Sequence, residues 1–306
     1  MRRGIKRSTT PSAFTLAELL VAMTVLSLLV LLLVSFLGGV NRAWISGEQQ
    51  AETFQDGRAI IELMSRELSQ SVISPRLQFV QNPTLIGANQ RANSSSLFWQ
   101  AGLTSTDSGN LSEVGYFITQ DTQNNFQLKR FFVPPTDATN YQIFTNAPND
   151  KAALWVTNFV GTGTLNTVIS DGVVAFWARC LDSNDDPIPW ISSASTSNGD
   201  TGAAPLQFNS AGHFQPAIPG QSTSFNYTNA ASTAQAHLLP TTLELTLVTV
   251  DSRTMQRSRA SVPALPVLTG VQDIPNAITT FNQSLITNNI RNARTFSTRV
   301  TLRASN

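Results

Sequence analysis

The chain has 306 residues, and its 20 lysines and arginines nearly balance 19 aspartates and glutamates, which excludes the basic footprint of a nucleic-acid-binding protein. Charged residues make up 13% of the chain, about half of the roughly 25% usual in soluble domains, so we expect a polar but largely uncharged surface. A single cysteine, Cys180, excludes an internal disulfide or a CxxC site, and with only two histidines the chain lacks the residues of most catalytic sites, so we expect no enzyme.

The N-terminus has the layout of a membrane-targeting segment. Residues 1–13 carry four cationic side chains and no acid, and they precede an apolar run, 14–37, that contains one charge. As a helix this run would reach about 36 Å, more than the roughly 30 Å of a bilayer's hydrocarbon core. By the positive-inside rule the cationic residues stay in the cytoplasm. The sequence therefore predicts a single-pass protein of the inner (cytoplasmic) membrane, with a cytoplasmic N-terminus and a periplasmic or other extracytoplasmic head.

Glu18 is the one charge in the apolar run, and a carboxylate at that depth needs a partner. Proteolysis between Ala13 and Phe14 would create a cationic amine on Phe14, which could neutralise Glu18 of a neighbouring subunit. The string AFTLAELL, which begins at Ala13, resembles the class III leader of type IV pilins and type II secretion pseudopilins. The resemblance implies cleavage before Phe14 by a prepilin peptidase, N-methylation of Phe14, and an assembly contact at Glu18.

The leader also fits an alternative. Those families usually have Gly immediately before the cleavage point, where this chain has Ala13. An ordinary signal peptide or an uncleaved anchor would equally begin with basic residues and an apolar core. The run 14–37 is longer than a signal-peptide core, however, and neither alternative accounts for Glu18.

Helical periodicity resumes beyond the apolar run. Over 50–73 one set of residues recurs at steps of three or four: Ala51, Phe54, Arg58, Ile61, Met64, Leu68 and Val72. Polar and charged residues take most other positions, so this stripe is predicted to pack on a domain, and Ser74-Pro75 then ends the helix. We therefore expect one N-terminal helix over 14–73, transmembrane over 14–37 and amphipathic over 50–73.

The remainder, 74–306, is predicted to be a β-rich head, because short apolar segments alternate with Gly, Asn, Asp and Pro. The predicted strands are 96–99, 114–118, 126–133, 172–181, 241–250 and 295–302, with a hairpin turn at 120–125 and a short helix at 277–289. Residues 191–235 are rich in Ser, Thr, Ala, Asn and Gly and predict a long polar surface insertion. The predicted fold class is α+β, a pilin-like stalk helix packed on an antiparallel β-sheet head.

Segments of the helix and head extend the resemblance. The stretches 171–177 and 239–245 look like a strand and a Leu-Pro-led strand of the minor pseudopilin J of type II secretion. Residues 42–44, 57–59, 62–70 and 292–300 resemble the Verru-Chthon cassette protein C family, whose members are pilin-like proteins of undefined role. The resemblance implies three partners: other pilin-like subunits, a prepilin peptidase and inner membrane lipid.

Asp182–Asp186 begins with the alternating oxygen ligands of a calcium loop. The pattern then fails, because Pro187 and Ser193 stand where an EF-hand loop has Gly and its bidentate Glu. A solvated hairpin turn is therefore favoured over a calcium site.

The remaining reactive residue types also favour structural roles. Cys180 follows an apolar strand, which favours a buried side chain over a reactive thiol. His213 and His237 lie in no ligand or triad motif, and Gly161–Thr164 lacks the lysine of a phosphate loop. We expect no cofactor, no metal and no nucleic-acid partner.

Together these features predict a structural protein. It would be a minor pilin-like subunit (pseudopilin) that assembles through its N-terminal helix into an envelope filament or tip complex of a type II secretion-like system. A second hypothesis is a minor adhesive type IV pilin that uses the insertion 191–235 as its contact surface. A third is a membrane-anchored extracytoplasmic enzyme, which the lack of a catalytic set disfavours and a tight substrate pocket in the head would support.

Overall fold

The structure is a computed structural model, and the chain divides into two compact units, Met1–Ala51 and Glu52–Asn306. The first unit holds the apolar part of one long helix. The second holds the remainder of that helix together with the sheets and shorter helices. The structure describes residues 15–73, 77, 79–82, 89–103, 109–137, 139–141, 165–188, 190–192, 206–209, 239–290 and 292–302.

Three α-helices and ten strands lie within the described residues. In chain order they are α1 Leu16–Leu68, β1 Val80–Gln81, β2 Leu97–Ala101, β3 Ser112–Gln120, β4 Phe126–Val133, β5 Asn166–Asp171, β6 Val173–Leu181, β7 Ile191–Ser192, β8 Leu206–Asn209, β9 Thr242–Thr249, α2 Ser252–Ser258, α3 Ile274–Thr287 and β10 Arg294–Thr301. Two short 3-10 turns, Arg259–Ser261 and Val271–Asp273, lie between α2 and α3.

The strands form two antiparallel sheets. The larger has seven strands in the order β5-β4-β3-β2-β1-β8-β7, and the smaller has three in the order β10-β9-β6. Every pairing between these strands is antiparallel. A long apolar N-terminal helix and antiparallel sheets agree with the predicted α+β class.

The β3–β4 hairpin is closed by the side chain of Asp121. Its Oδ1 accepts hydrogen bonds from the backbone N–H groups of Gln123 and Asn125, both at 2.8 Å. Asn124 between them takes a positive φ of 58°, which asparagine tolerates better than most residues. This local turn chemistry places Gln120 opposite Phe126 and confirms the hairpin predicted at 120–125.

Gly172 is the single residue by which the chain passes from the larger sheet to the smaller one. Its N–H donates to Phe126 O in β4, and its C=O accepts from Val250 N just after β9, each at 2.9 Å. Its φ is +80°, and a Cβ at this position would stand 2.5 Å from Val250 O. Only glycine combines that conformation with that close approach, so the crossing between the sheets depends on it.

The main core lies where the second half of α1, both sheets and α3 meet. The ring of Trp177 in β6 packs edge-on against Phe281 of α3, with centroids 5.7 Å apart. A second cluster in the larger sheet contains Phe98, Phe117 and Phe131, with Phe98 and Phe131 centroids 5.9 Å apart. The alternating apolar residues of the strands therefore pack into two separate hydrophobic clusters.

Most of the predicted strands are observed, with β4 at its predicted bounds. The helix predicted over 14–73 was too long at its C-terminus, because α1 ends at Leu68. The backbone beyond it bonds to the end of β2: Val72 N donates to Gln100 O at 2.9 Å, and Gly102 N donates to Gln70 O at 3.1 Å. Pairing with a strand replaces the last helical turn.

The insertion predicted at 191–235 is not loop throughout. It contributes β7 and β8, and β8 pairs with β1 so that the larger sheet is extended by two strands. In the sequence, Leu206 and Phe208 alternate with polar residues, a strand pattern that the polar composition of this region obscured. The rest of 193–235 lies outside the described residues.

Candidate functional site

The first compact unit presents an exposed apolar helix. Every large hydrophobic residue from Leu16 to Val40 is exposed, and none of the most apolar part of α1 is buried. Within the described residues it is the one helix long and apolar enough to cross a membrane. An exposed apolar surface of this length is unfavourable in water, which is consistent with a membrane anchor.

Glu18 lies in the first turn of this helix and forms a capping box with Thr15. The Thr15 N–H and hydroxyl both donate to Glu18 Oε2, at 2.9 and 3.0 Å, and Glu18 N donates back to Thr15 Oγ1 at 3.3 Å. Such reciprocal bonds satisfy backbone donors that a helix N-terminus leaves without partners. Glu18 therefore has a local role in starting α1 that was not predicted from the sequence.

The capping box does not use the whole carboxylate. Both side-chain bonds from Thr15 end on Oε2, and within the described residues Oε1 accepts no hydrogen bond. Thr15 is also uncharged, so no hydrogen-bond partner of the carboxylate among the described residues neutralises the negative charge of Glu18. Ala13 and Phe14 lie outside the described residues, so cleavage before Phe14, its N-methylation and its pairing with Glu18 stay predictions.

The second half of α1 packs on the head through a different stripe from the one predicted. The buried residues of α1 are Thr53, Gly57, Ile60, Met64, Glu67 and Leu68. Only Met64 and Leu68 belong to the predicted stripe, whereas Ala51, Phe54 and Arg58 are exposed. The interface accepts a glycine, a threonine and a glutamate, residue types that a search for apolar periodicity passes over.

Glu67 joins α1 to the larger sheet through a buried polar cluster. Its Oε2 accepts from the Tyr116 hydroxyl at 2.5 Å, and its Oε1 accepts from Arg130 Nη2 at 2.7 Å. Burial and the neighbouring carboxylate raise the pKa of Tyr116, so the phenol stays neutral and donates. The Arg130 guanidinium also stacks 4.3 Å from the Phe132 ring centroid. One helix residue thus contacts both β3 and β4.

Gly57 joins α1 to the smaller sheet. A Cβ at this position would overlap the ring of Phe296 in β10, so the glycine lets that ring lie directly against the helix backbone. Phe54, one turn earlier, lies beside the same ring with centroids 5.8 Å apart. Gly57 and Phe54 thus contact the smaller sheet and Glu67 contacts the larger one, so the last turns of α1 are held on both sheets.

The Asp182–Asp186 segment forms the turn favoured over a calcium site. Asp182 Oδ1 accepts from the backbone N–H groups of Asn184 and Asp186, at 2.8 and 2.9 Å, and Asp185 takes a positive φ of 64°. Within the described residues, no group of three or more His, Cys, Asp or Glu side chains is arranged to hold a metal. The carboxylate of Asp182 is thus engaged by its own turn.

Cys180 is buried and not bonded to another cysteine, as predicted. Burial raises the pKa of its thiol, and Sγ contacts Gln81 Oε1 at 3.3 Å. A protonated, enclosed thiol is a poor nucleophile. His213, His237 and Gly161–Thr164 lie outside the described residues.

Sequence reasoning missed three residues that position α1: Thr15, Gly57 and Glu67. Thr15 was recognisable, since Thr-x-x-Glu before an apolar run is the sequence pattern of a capping box. Glu67 and Gly57 had no comparable signal, because their partners lie in distant strands. The chain matches no protein-family model, and no curated protein matches it.

Proposed function

We propose that the chain is a minor pilin-like (pseudopilin) subunit that assembles through α1 into an envelope filament or tip complex of a type II secretion-like system. The head would lie outside the cytoplasm, and other pilin-like subunits and a prepilin peptidase would be its partners. The observation that carries the proposal is Glu18, a charge at the start of an exposed apolar helix. Among the described residues its carboxylate accepts hydrogen bonds from the uncharged Thr15 alone.

A charge in a membrane-spanning segment is costly unless an opposite charge lies beside it. The capping box supplies hydrogen bonds to Glu18 but no positive charge. An N-terminal amine on Phe14 of a neighbouring subunit would supply both the charge and donors for Oε1. The proposal thus accounts for a residue that a plain anchor does not require.

The attachment of α1 to the head supports the same function. Force applied to a helix in an assembled filament reaches the head only if the helix is held firmly by it. Glu67 and Gly57 provide such an attachment to both sheets. A helix that served only as a lipid anchor could join its domain through a flexible linker.

Mass spectrometry of the mature N-terminus tests the processing step. The proposal expects a chain that begins with Phe14 and carries one additional methyl group. Co-expression with an inactive prepilin peptidase provides the control, in which the chain should still begin at Met1. Recovery of an unprocessed chain beside an active peptidase, or of one cleaved beyond Gly39, contradicts the proposal.

Three substitutions separate the charge of Glu18 from its capping role. Glu18→Gln keeps a side chain that can complete the capping box but removes the charge, whereas Thr15→Ala removes both hydrogen bonds of the Thr15 hydroxyl and keeps the charge. Glu18→Val removes both. Crosslinking to partner pilin-like subunits is compared at equal amounts of cleaved, membrane-inserted protein.

If Glu18 pairs with an amine, both Glu18 variants should lose crosslinks and Thr15→Ala should retain them. If Glu18 acts only as a cap, Thr15→Ala and Glu18→Val should fail together while Glu18→Gln remains normal. The second pattern, or unchanged crosslinking in all three variants, removes Glu18 from the assembly contact.

A further inference from the structure

The continuous apolar surface of α1 ends at Val40, and two exposed side chains of a different kind follow it. Arg42 is the first charged residue after Glu18, and Trp44 is 74% exposed. From Leu16 to Val40 the helix rises about 36 Å, slightly more than the roughly 30 Å of a bilayer's hydrocarbon core. When α1 spans a membrane, the residues just beyond Val40 therefore lie at the depth of the lipid headgroups.

The Arg42 side chain folds back toward the apolar run. Its Nε donates to Gly38 O, one turn earlier, at 3.1 Å. Side chains of a helix lean toward its N-terminus, so the guanidinium lies nearer to the apolar run than the Arg42 Cα does. This bond uses one of five N–H donors, and within the described residues the other four have no protein partner.

The helix surface beside Arg42 is left open by two glycines. Gly38 and Gly39 are exposed, and a Cβ on either would have no other atom within 4 Å. Gly38 lies one turn before Arg42 on the same face of α1. A molecule as bulky as a lipid headgroup can therefore reach the guanidinium without displacing a side chain.

Trp44 lies on the other side of the helix, because two residues correspond to a rotation of about 200°. An exposed indole combines a large apolar ring with one N–H donor. Such side chains are enriched at the membrane–water interface, where the ring meets lipid and the N–H meets water or headgroups. Arg42 and Trp44 thus present two groups suited to this layer at nearly the same level of α1.

A phosphate group matches the free donors of Arg42, because a guanidinium can donate two parallel N–H bonds to phosphate oxygens. We propose that Arg42 binds the phosphate of a phospholipid in the leaflet at the C-terminal end of the apolar run. Trp44 lies in the same headgroup layer, and the two residues, the interfacial anchor, fix the depth of α1. The inference rests on the membrane location in the proposed function and is independent of assembly with other subunits.

Solid-state NMR tests the phosphate contact. The full chain, labelled with ¹³C at the arginine Cζ, is reconstituted in phosphatidylcholine vesicles in phosphate-free buffer, so lipid is the sole source of ³¹P. Arg42→Lys removes the label at this position and keeps the positive charge. Arg58→Lys is the matched control, because Arg58 is an exposed arginine of α1 in the second compact unit.

The ³¹P dephasing of the arginine signal should fall by one arginine's share in Arg42→Lys and stay at the wild-type level in Arg58→Lys. Dephasing from any other arginine is common to the three proteins and cancels in the comparison. Equal dephasing in all three overturns the phosphate contact, as it would if Arg42 instead paired with an acidic side chain of another subunit.

Fluorescence quenching in the same vesicles tests the depth. The difference between wild type and Trp44→Phe gives the emission of Trp44, because Trp99 and Trp177 are buried in the head and contribute to both. A nitroxide near the headgroup should quench this emission more strongly than one near the end of the acyl chain. Arg42→Leu extends the apolar run to Ile45 and should move Trp44 deeper by up to about 6 Å, the rise of four residues. Equal quenching at both depths in wild type, or no shift in Arg42→Leu, overturns the anchor.

Neither measurement needs a partner subunit, so both are independent of the Glu18 experiment. Loss of crosslinks in Glu18→Val with no phosphate contact at Arg42 would leave the proposed function standing and remove the interfacial anchor. A phosphate contact with unchanged crosslinks in Glu18→Val would do the reverse. Complete extraction of the chain from vesicles by alkaline carbonate would remove the membrane location and with it both proposals.

Discussion

Glu67→Gln tests whether the buried polar cluster holds α1 on the head. Glutamine keeps the shape of glutamate but loses its charge, and its NH2 group faces Tyr116 or Arg130, which are both donors. Hydrogen bonds to a charged group contribute about 1.5–3 kcal/mol each, and removing one member of a buried pair costs about 3–5 kcal/mol. Because a fifth of the Arg130 side chain is exposed, water recovers part of this loss. We expect the free energy of unfolding to fall by about 2–3 kcal/mol.

Urea unfolding followed by tryptophan fluorescence measures this loss. The probes are Trp99, stacked 5.8 Å from Tyr116, and Trp177, packed on α3. The matched control is Glu62→Gln, an exposed position on the same helix, where the change should stay within about 0.5 kcal/mol. If Glu67→Gln unfolds at the same urea concentration as the control, the cluster does not stabilise the helix attachment and the reasoning is refuted.

Three further changes follow from contacts in the head. The pKa of Tyr116 is raised in the folded chain, so the neutral phenol stabilises the fold fully below the unfolded pKa of about 10. This stabilisation is lost as the pH rises above that value, because the unfolded chain then ionises more readily. Urea midpoints should therefore fall less steeply from about pH 9 to 11 in Tyr116→Phe than in wild type. Gly57→Ala should lower the free energy of unfolding by about 1–3 kcal/mol through overlap with Phe296, and Phe296→Leu should recover part of the loss in a double-mutant cycle; simple additivity would argue against the contact. The Cys180 thiol should react with a disulfide reagent at pH 8 only after urea is added, and rapid labelling of the folded chain would show that it is not enclosed.

The strands could be predicted where the sequence alternates clearly. In β9, Leu243, Leu245 and Leu247 alternate with polar residues, and the observed bounds are close to the predicted ones. β1 and β7 have two residues each, too short for any period to show. β5 was missed because most of its side chains are exposed or half-buried, as is usual at the edge of a sheet.

The candidate site was predictable only where its contacts are local. The leader pattern pointed to Glu18, and the same pattern contained the Thr15 cap, because both partners lie within one helical turn. The buried cluster of Glu67, Tyr116 and Arg130 could not be grouped from the sequence. These residues meet only after α1, β3 and β4 have packed, and their spacing along the chain gives no sign of the contact.

The contact between Gly57 and Phe296 has a kinetic consequence. The ring that seats the helix belongs to β10, the last strand in chain order, whereas the glycine belongs to the first element. Contacts between residues so distant in sequence carry a high loop-closure entropy and form late in folding. In a head translocated as proposed, the Gly57 segment of α1 would stay uncovered until β10 had emerged and paired with β9, although Glu67 could already contact β3 and β4. Truncations that remove β10 should therefore leave α1 accessible to protease around Gly57, even though all seven strands of the larger sheet precede β10 in the chain.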